Sequence, residues 1–170
     1  MMIKSYLSSI LTLILFVLVE SALLSNISFL PAFPDFMMIC VLYFSVRNGK
    51  IAGQTMGFAS GLLLDFFGSA PFGMSCIVRT LMGYLGGIFH NLMNYKSPLV
   101  SIVAGFSATI VKAVLIYGIS LLFPRHVNSY HIFSSVFALE LVLNTIFTPI
   151  MFKFLDAFEA FFALPDRRLS

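Results

Sequence analysis

Charged residues are scarce in this chain, tryptophan is absent, and cysteine occurs only twice. Charged side chains make up 10% of the 170 residues and hydrophobic side chains 59%, whereas a soluble domain has about 25% and about 45–50%. These values exclude a soluble globular enzyme, a disordered tail and a nucleic-acid-binding domain. The mean hydropathy of +1.00 indicates a polytopic membrane protein with almost no mass outside the bilayer.

The two cysteines, Cys40 and Cys76, both lie in apolar runs. A structural disulfide inside lipid would be unusual, so we expect two buried free thiols. Because the chain has no tryptophan, its six tyrosines must supply any aromatic belt at the membrane interface.

Six stretches are long and apolar enough to cross a bilayer, which takes about 20 residues. The predicted spans are residues 6–24, 27–46, 51–67, 72–92, 98–123 and 131–155. Pro31, Pro34 and Asp35 interrupt the start of the second span, so its regular helix is expected to begin near Phe36. Short loops join the spans, which predicts antiparallel helical hairpins. Residues 1–170 are therefore interpreted as a single integral-membrane domain, an all-α bundle of six transmembrane helices.

The basic residues predict the orientation of this bundle, because cytoplasmic loops carry an excess of lysine and arginine. With a cytoplasmic N-terminus, the outer side carries only Arg125. The cytoplasmic side then carries Lys4, Arg47, Lys50, Lys96, Lys153, Arg167 and Arg168. The sequence therefore predicts that both termini are cytoplasmic.

The third span contains a glycine at every fourth position. These residues, here called the glycine ladder, are Gly49, Gly53, Gly57 and Gly61, and Asp65 is the next step. Residues four apart share one face of a helix, and small residues there let a second helix approach closely in lipid. The ladder serves either packing within the chain or docking of a separate membrane protein. A weaker series of small residues in the fifth span, Ser97, Ser101, Gly105, Thr109 and Ala113, is interpreted as packing.

Five charged residues lie within the spans or near their ends: Glu20, Asp65, Arg79, Lys112 and Glu140. Such charges usually face the interior of a bundle and pair, because a charge at the bilayer centre costs about 2.5–3.5 kcal/mol on insertion scales. The predicted topology places Lys112 near mid-membrane and the other four in the outer half. We expect Asp65 to pair with Arg79 across the turn between spans three and four, and Lys112 to pair with Glu140. The cluster is either a set of structural ion pairs or a polar cavity open to the outer side.

The sequence shows no catalytic motif. The three histidines lie near span ends without metal-ligand spacing, and neither a nucleotide-binding glycine loop nor a nucleophile elbow is present. We therefore expect a protein that is not an enzyme and that holds no metal or cofactor.

A motif that resembles a known family runs from Gly57 to Gly68, with the sequence GFASGLLLDFFG, and continues in Pro71-Phe72-Gly73-Met74. This glycine-rich span, terminal aspartate, short turn and helix-opening glycine resemble the bacterial rod shape-determining MreD family. The chain length, Pro34-Asp35 and the basic loop 47–50 are also similar to that family.

The resemblance implies a non-catalytic, multi-pass protein of the bacterial inner membrane, in the elongation machinery that makes lateral peptidoglycan. It implies an MreC-like partner, which is a single-span periplasmic coiled-coil protein. Through that partner the family connects to a glycosyltransferase and transpeptidase pair and to actin-like filaments. The implied fold is similar to the six-helix substrate-binding subunits of energy-coupling-factor vitamin transporters.

That fold similarity gives the alternative function, a vitamin-binding subunit of such a transporter. Those subunits typically dock their energising partner through an Ala-x-x-x-Ala motif on the first span, which here reads Ser8-Ser9-Ile10-Leu11-Thr12. They also usually carry tryptophan and polar loops that close the pocket, whereas this chain has no tryptophan and very short outer loops. Both differences favour the role in cell elongation. A stand-alone channel or secondary transporter ranks last, because only Lys112 lies near the midplane and no internal repeat is evident.

Overall fold

The computed structural model describes residues 32–67, 71–92, 97–122 and 134–157. These residues form four helices: α1 (Phe36–Phe67), α2 (Met74–Ile88), α3 (Pro98–Leu122) and α4 (Ser135–Ala157). By length and composition, α3 and α4 are each able to cross a membrane. The all-helical class is thus confirmed, whereas the six-span bundle stays a prediction. Its first span, residues 6–24, lies outside the described residues.

Helix α1 contains the second and third predicted spans and folds back on itself at one residue. Gly49 has φ 86° and ψ −177°, a left-handed φ that glycine adopts without steric cost. The backbone at Gly53 lies against the side chain of Ser45, although a continuous helix would separate these residues by about 12 Å. The loop predicted over residues 47–50 is therefore a break at Gly49 alone, between a first arm (36–48) and a second arm (50–67).

The first arm of α1 is the centre of the molecule. Every residue from Met37 to Val46 is buried, as expected for a helix surrounded on all sides. The arm runs parallel to α2, since Asp35 contacts Arg79 and Val46 contacts His90. It also runs parallel to α4, where the ring of Phe36 meets that of Phe147 and Tyr43 meets Phe152.

The glycine ladder packs against α2 of the same chain. The backbones of three glycines contact α2: Gly53 packs on Gly83, Gly57 packs on Arg79, and Gly61 packs on Cys76. The partner number falls as the glycine number rises, so the second arm of α1 and α2 are antiparallel. A Cβ atom built on Gly61 would lie 2.5 Å from the Cα of Cys76. Only glycine permits this approach, in which van der Waals contact between backbones holds the helices together. Gly49 differs from the others, since it faces the ring of His90 at the bend.

The small residues of the fifth predicted span lie where α3 meets α4. Ser101, Gly105, Thr109 and Ala113 are all buried, and the backbone at Gly105 lies against the side chain of Thr148. Thr109 accepts a hydrogen bond from Asn144 at 3.2 Å, and Lys112 reaches Glu140. The two helices are therefore antiparallel, as predicted for spans joined by a short loop, and the small residues lie at their contact.

Candidate functional site

Asp35 organises a cluster of four charges near the start of α1, two of them buried and two partly buried. Pro34 precedes it, and Asp35 is the N-cap of the helix: its Oδ1 accepts a hydrogen bond from the N–H of Met38 at 2.8 Å. Such a cap satisfies one of the free N–H groups at a helix start. The same oxygen accepts from Arg79 Nη2 at 2.7 Å, so the cap is also the acid of an ion pair between α1 and α2.

Lys112 joins this pair to α4. Its Nζ donates to Asp35 Oδ2 at 2.6 Å and to Glu140 Oε1 at 2.7 Å. One lysine of α3 therefore bridges two carboxylates, and the chain Arg79–Asp35–Lys112–Glu140 crosses all four helices. We call these four residues the charge cluster.

Neutral side chains extend the charge cluster towards the contact between α3 and α4. Asn144 Oδ1 accepts from the backbone N–H of Asp35 at 2.8 Å, and its amide nitrogen donates to Thr109. Both Asn144 and Thr109 are almost fully buried. Their amide and hydroxyl groups fix the position of Asp35 relative to α3 and α4.

Burial makes these contacts strong and costly to break. The side chain of Asp35 is 7% exposed and that of Arg79 8%, while Glu140 is 12% and Lys112 20% exposed. Two cations and two carboxylates sum to zero formal charge. A buried ion pair contributes little net stability, but the loss of one partner leaves an uncompensated charge.

The sequence prediction of the pairs was half right. Lys112 does pair with Glu140, but Arg79 binds Asp35 rather than Asp65. Sequence reasoning treated Asp35 as an interruption of the second span and as part of the family resemblance, but not as a partner of Arg79. The signal for its role was the Pro-Asp pair before an apolar helix, which is typical of an N-cap. Glu20 lies outside the described residues.

Asp65 instead caps α2. Its Oδ2 accepts from the backbone N–H groups of Gly73 at 2.9 Å and Cys76 at 3.2 Å, and its Oδ1 accepts from Ser75 at 3.1 Å. These N–H groups have no partners within the helix, and the positive end of the helix dipole favours a carboxylate there. Arg79 lies about one turn further along α2 than these N–H groups. Asp65 therefore binds backbone donors and not Arg79, which had been its predicted partner.

A second polar group lies at the opposite end of the first arm, and sequence reasoning missed it. Tyr43 is buried, and its hydroxyl accepts from Arg47 Nη1 at 2.7 Å and donates to Asp156 Oδ1 at 3.2 Å. Arg47 Nη1 lies 3.7 Å from the same carboxylate oxygen. The i, i+4 spacing of Tyr43 and Arg47 was the available signal, but the partner on α4 is 113 residues away.

Within the four described segments, no group of three or more histidine, cysteine, aspartate or glutamate side chains could hold a metal ion. Cys40 and Cys76 are free and buried, as expected from their apolar surroundings. The charge cluster is chemically a fixed set of hydrogen-bond donors and acceptors around the start of α1.

Comparison with known protein families gives a match over most of the chain. The model of the family described as rod shape-determining protein MreD matches residues 1–158. No curated protein and no solved structure matches the chain.

Proposed function

Because this chain belongs to the rod shape-determining protein MreD family, we propose that it is a non-catalytic scaffold of the machinery that elongates bacterial cells. Membership makes it a rod shape-determining membrane protein. The proposal adds that it acts in lateral peptidoglycan synthesis and lies in the inner membrane, which it crosses six times with both termini cytoplasmic. The family match over residues 1–158 is the observation that carries this conclusion.

The charge cluster supports a scaffold role. Its acids and bases bind one another, and Asp35 also binds the backbone N–H of Met38, at distances of 2.6–2.8 Å. The start of α1 and the helices α2, α3 and α4 each contribute one residue to it, so the cluster fixes the relative positions of these four elements. A scaffold needs such a fixed arrangement, because a partner recognises a surface that several helices build together.

The proposed partner is an MreC-like periplasmic coiled-coil membrane protein, which links the chain indirectly to a cell-wall glycosyltransferase and transpeptidase and to actin-like filaments. We infer a docking surface other than the groove along Gly53, Gly57 and Gly61, because α2 of the same chain packs against those glycines. The partner therefore meets another face of the bundle, and the role of these glycines is to shape the protein that it meets.

Co-purification in mild detergent tests this function. The tagged chain replaces the native copy in rod-shaped cells, and proteins retained with it are identified by mass spectrometry. We expect a single-span protein with a periplasmic coiled coil. Retention of an ATPase-bearing module in its place would contradict the scaffold and support the vitamin-binding subunit. Cells depleted of the chain should also become round.

A further inference from the structure

A cavity of about 270 Å³ adjoins the charge cluster on the side of α2. Its polar wall is formed by Asp35, Arg79 and Lys112. Much of its apolar wall is formed by three methionines, Met38, Met74 and Met82. This volume approaches the lower end of small-molecule sites, about 300 Å³, which are typically apolar with a few polar groups that orient the ligand.

Arg79 lines this cavity and carries one unused donor. Its Nη2 binds Asp35 at 2.7 Å, but its Nη1 is buried and has no hydrogen-bond partner among the described residues. Buried polar groups are nearly always hydrogen-bonded, so an exception calls for an acceptor. Arginine offers two parallel N–H groups to a phosphate or a carboxylate, which makes an oxyanion a suitable acceptor.

Two cations and one carboxylate line the cavity: Arg79, Lys112 and Asp35. Glu140, the second carboxylate of the cluster, binds Lys112 but does not line the cavity. Glu140 nevertheless offsets the charge of Lys112 from behind the wall, so the cluster as a whole is neutral, and the preference for an anion rests on the unpaired N–H groups of Arg79.

The methionines define the rest of the ligand. Their flexible, polarizable side chains adapt to apolar groups of irregular shape, so the occupant has an apolar part beside its oxyanion. We propose that the cavity binds the head of a membrane phospholipid, whose phosphate oxygen accepts hydrogen bonds from Arg79 Nη1. The glycerol ester region would then lie against Met38, Met74 and Met82. This inference needs the chain to lie in a membrane but does not depend on its partner in cell elongation.

Binding of a short-chain phospholipid tests the proposal. The full-length protein is stripped of lipid by detergent exchange and titrated with dihexanoyl phosphatidylglycerol by calorimetry. Native mass spectrometry gives the stoichiometry. Dihexanoylglycerol, which lacks the phosphate, and inorganic phosphate, which lacks the apolar part, are titrated in parallel. We expect a single phosphatidylglycerol per chain and weaker binding, by about tenfold or more, of either fragment.

Variants that fill the cavity separate binding from folding. Ile116 and Ser75 line the cavity and take no part in the charge cluster. Ser75 also binds Asp65 at the cap of α2, so Ile116→Phe is the deciding variant. Ile116→Phe and Ser75→Leu should each weaken phosphatidylglycerol binding by about tenfold, because the added carbons occupy the site. Ile110→Phe is the matched control, since Ile110 lies on the same helix but is exposed. It should bind as the wild type does.

Three results would overturn the proposal. Inorganic phosphate that binds as tightly as the lipid would identify an ion site. Dihexanoylglycerol that binds equally well would show that Arg79 does not recognise the phosphate. Ile116→Phe and Ser75→Leu that both bind as the wild type would place the lipid elsewhere. None of these outcomes bears on which protein co-purifies with the chain, so this inference and the proposed function fail separately.

Discussion

Arg79 Nη2 lies 2.7 Å from Asp35 Oδ1, on the same oxygen that accepts the N–H of Met38 at the start of α1. One carboxylate oxygen thus caps the start of α1 and also accepts a hydrogen bond from a side chain of α2. Asp35 Oδ2 receives Lys112 of α3. The beginning of α1 is therefore held by its two neighbours, and the position of Asp35 depends on both cations.

Removal of the Asp35 charge should destabilise the protein strongly. In Asp35→Asn, the buried Arg79 loses its ion partner, and breaking such a pair costs about 3–5 kcal/mol. Unfolding by sodium dodecyl sulfate in mixed micelles measures the change in the free energy of unfolding. Asp156→Asn is the matched control, because Asp156 is 29% exposed and its oxygen is 3.7 Å from Arg47, so its loss should cost less than the loss of the closer and more buried Asp35. Equal effects of the two variants would contradict a central role for Asp35.

Gly57 and Gly118 should respond to alanine in opposite directions. A Cβ at Gly57 would lie 2.7 Å from the carbonyl carbon of Arg79, whereas one at Gly118 would have no atom within 4 Å. Gly57→Ala should lower the free energy of unfolding by about 1–3 kcal/mol, since α2 must move away. Gly118→Ala should raise it by about 0.5–1 kcal/mol, because alanine loses less backbone entropy in a helix.

The same unfolding assay measures both alanine variants. Gly57→Leu places a larger side chain at the same contact, so it should reduce the protein level in cells. A stable Gly57→Leu variant that supports rod growth would show that the close contact between the second arm of α1 and α2 is dispensable.

Asp65→Ala should loosen the beginning of α2. It leaves the N–H groups of Gly73, Ser75 and Cys76 without the acceptor that they have in the structure, and the loss of a helix cap costs about 0.5–2 kcal/mol. Hydrogen exchange detected by mass spectrometry should show faster exchange at these amides. Amides in the middle of α2, such as that of Gly83, serve as the internal control. Unchanged exchange at residues 73–76 would mean that Asp65 does not hold this end.

Cysteine labelling should place Asn48 and Ser170 on the cytoplasmic side and Asn128 outside. The bias of basic residues towards one side of the membrane motivates this expectation. Single cysteines are introduced in a Cys40→Ala, Cys76→Ala background, because both native thiols are buried. Labelling of Asn48 by an impermeant reagent added to intact spheroplasts would reverse the orientation.

The sequence was a good guide where a feature depends on local spacing. The every-fourth-residue pattern of Gly53, Gly57 and Gly61 predicted a face for close helix packing, and that face now meets α2. The predicted helix start near Phe36 agrees with α1. Lys112 and Glu140 were paired correctly, because they lie on two spans that are neighbours in sequence.

The partner of Arg79 required knowledge of the packing of three helices. In the hairpin between spans three and four, Asp65 is the acid nearest in sequence, so it was chosen. Asp35 is 44 residues away and reaches Arg79 only because the first arm of α1 runs parallel to α2. Parallel neighbours are not implied by short hairpin loops. For the same reason, the contact of Tyr43 with Asp156 could not be predicted.

Two double-mutant cycles distinguish the pairing in the structure from the pairing that the hairpin predicted. The first combines Asp35→Asn with Arg79→Gln, and the second combines Asp65→Asn with Arg79→Gln. Residues in direct contact show coupling energies of about 0.5–3 kcal/mol, whereas independent residues add within about 0.3–0.5 kcal/mol. Asp35 and Arg79 are 2.7 Å apart, while Asp65 binds backbone N–H groups.

We therefore expect the first double variant to be more stable than the sum of its singles predicts, because the neutral glutamine no longer needs an acid. Lys112 keeps Glu140 as its partner, so this double variant leaves no cation of the cluster without a carboxylate. The second double variant should lose as much free energy of unfolding as its two singles together. Both cycles share the Arg79→Gln variant, so a general effect of losing arginine cancels between them. Coupling in the second cycle and additivity in the first would mean that Arg79 binds Asp65 in the membrane, and that Asp35 serves only as the cap of α1.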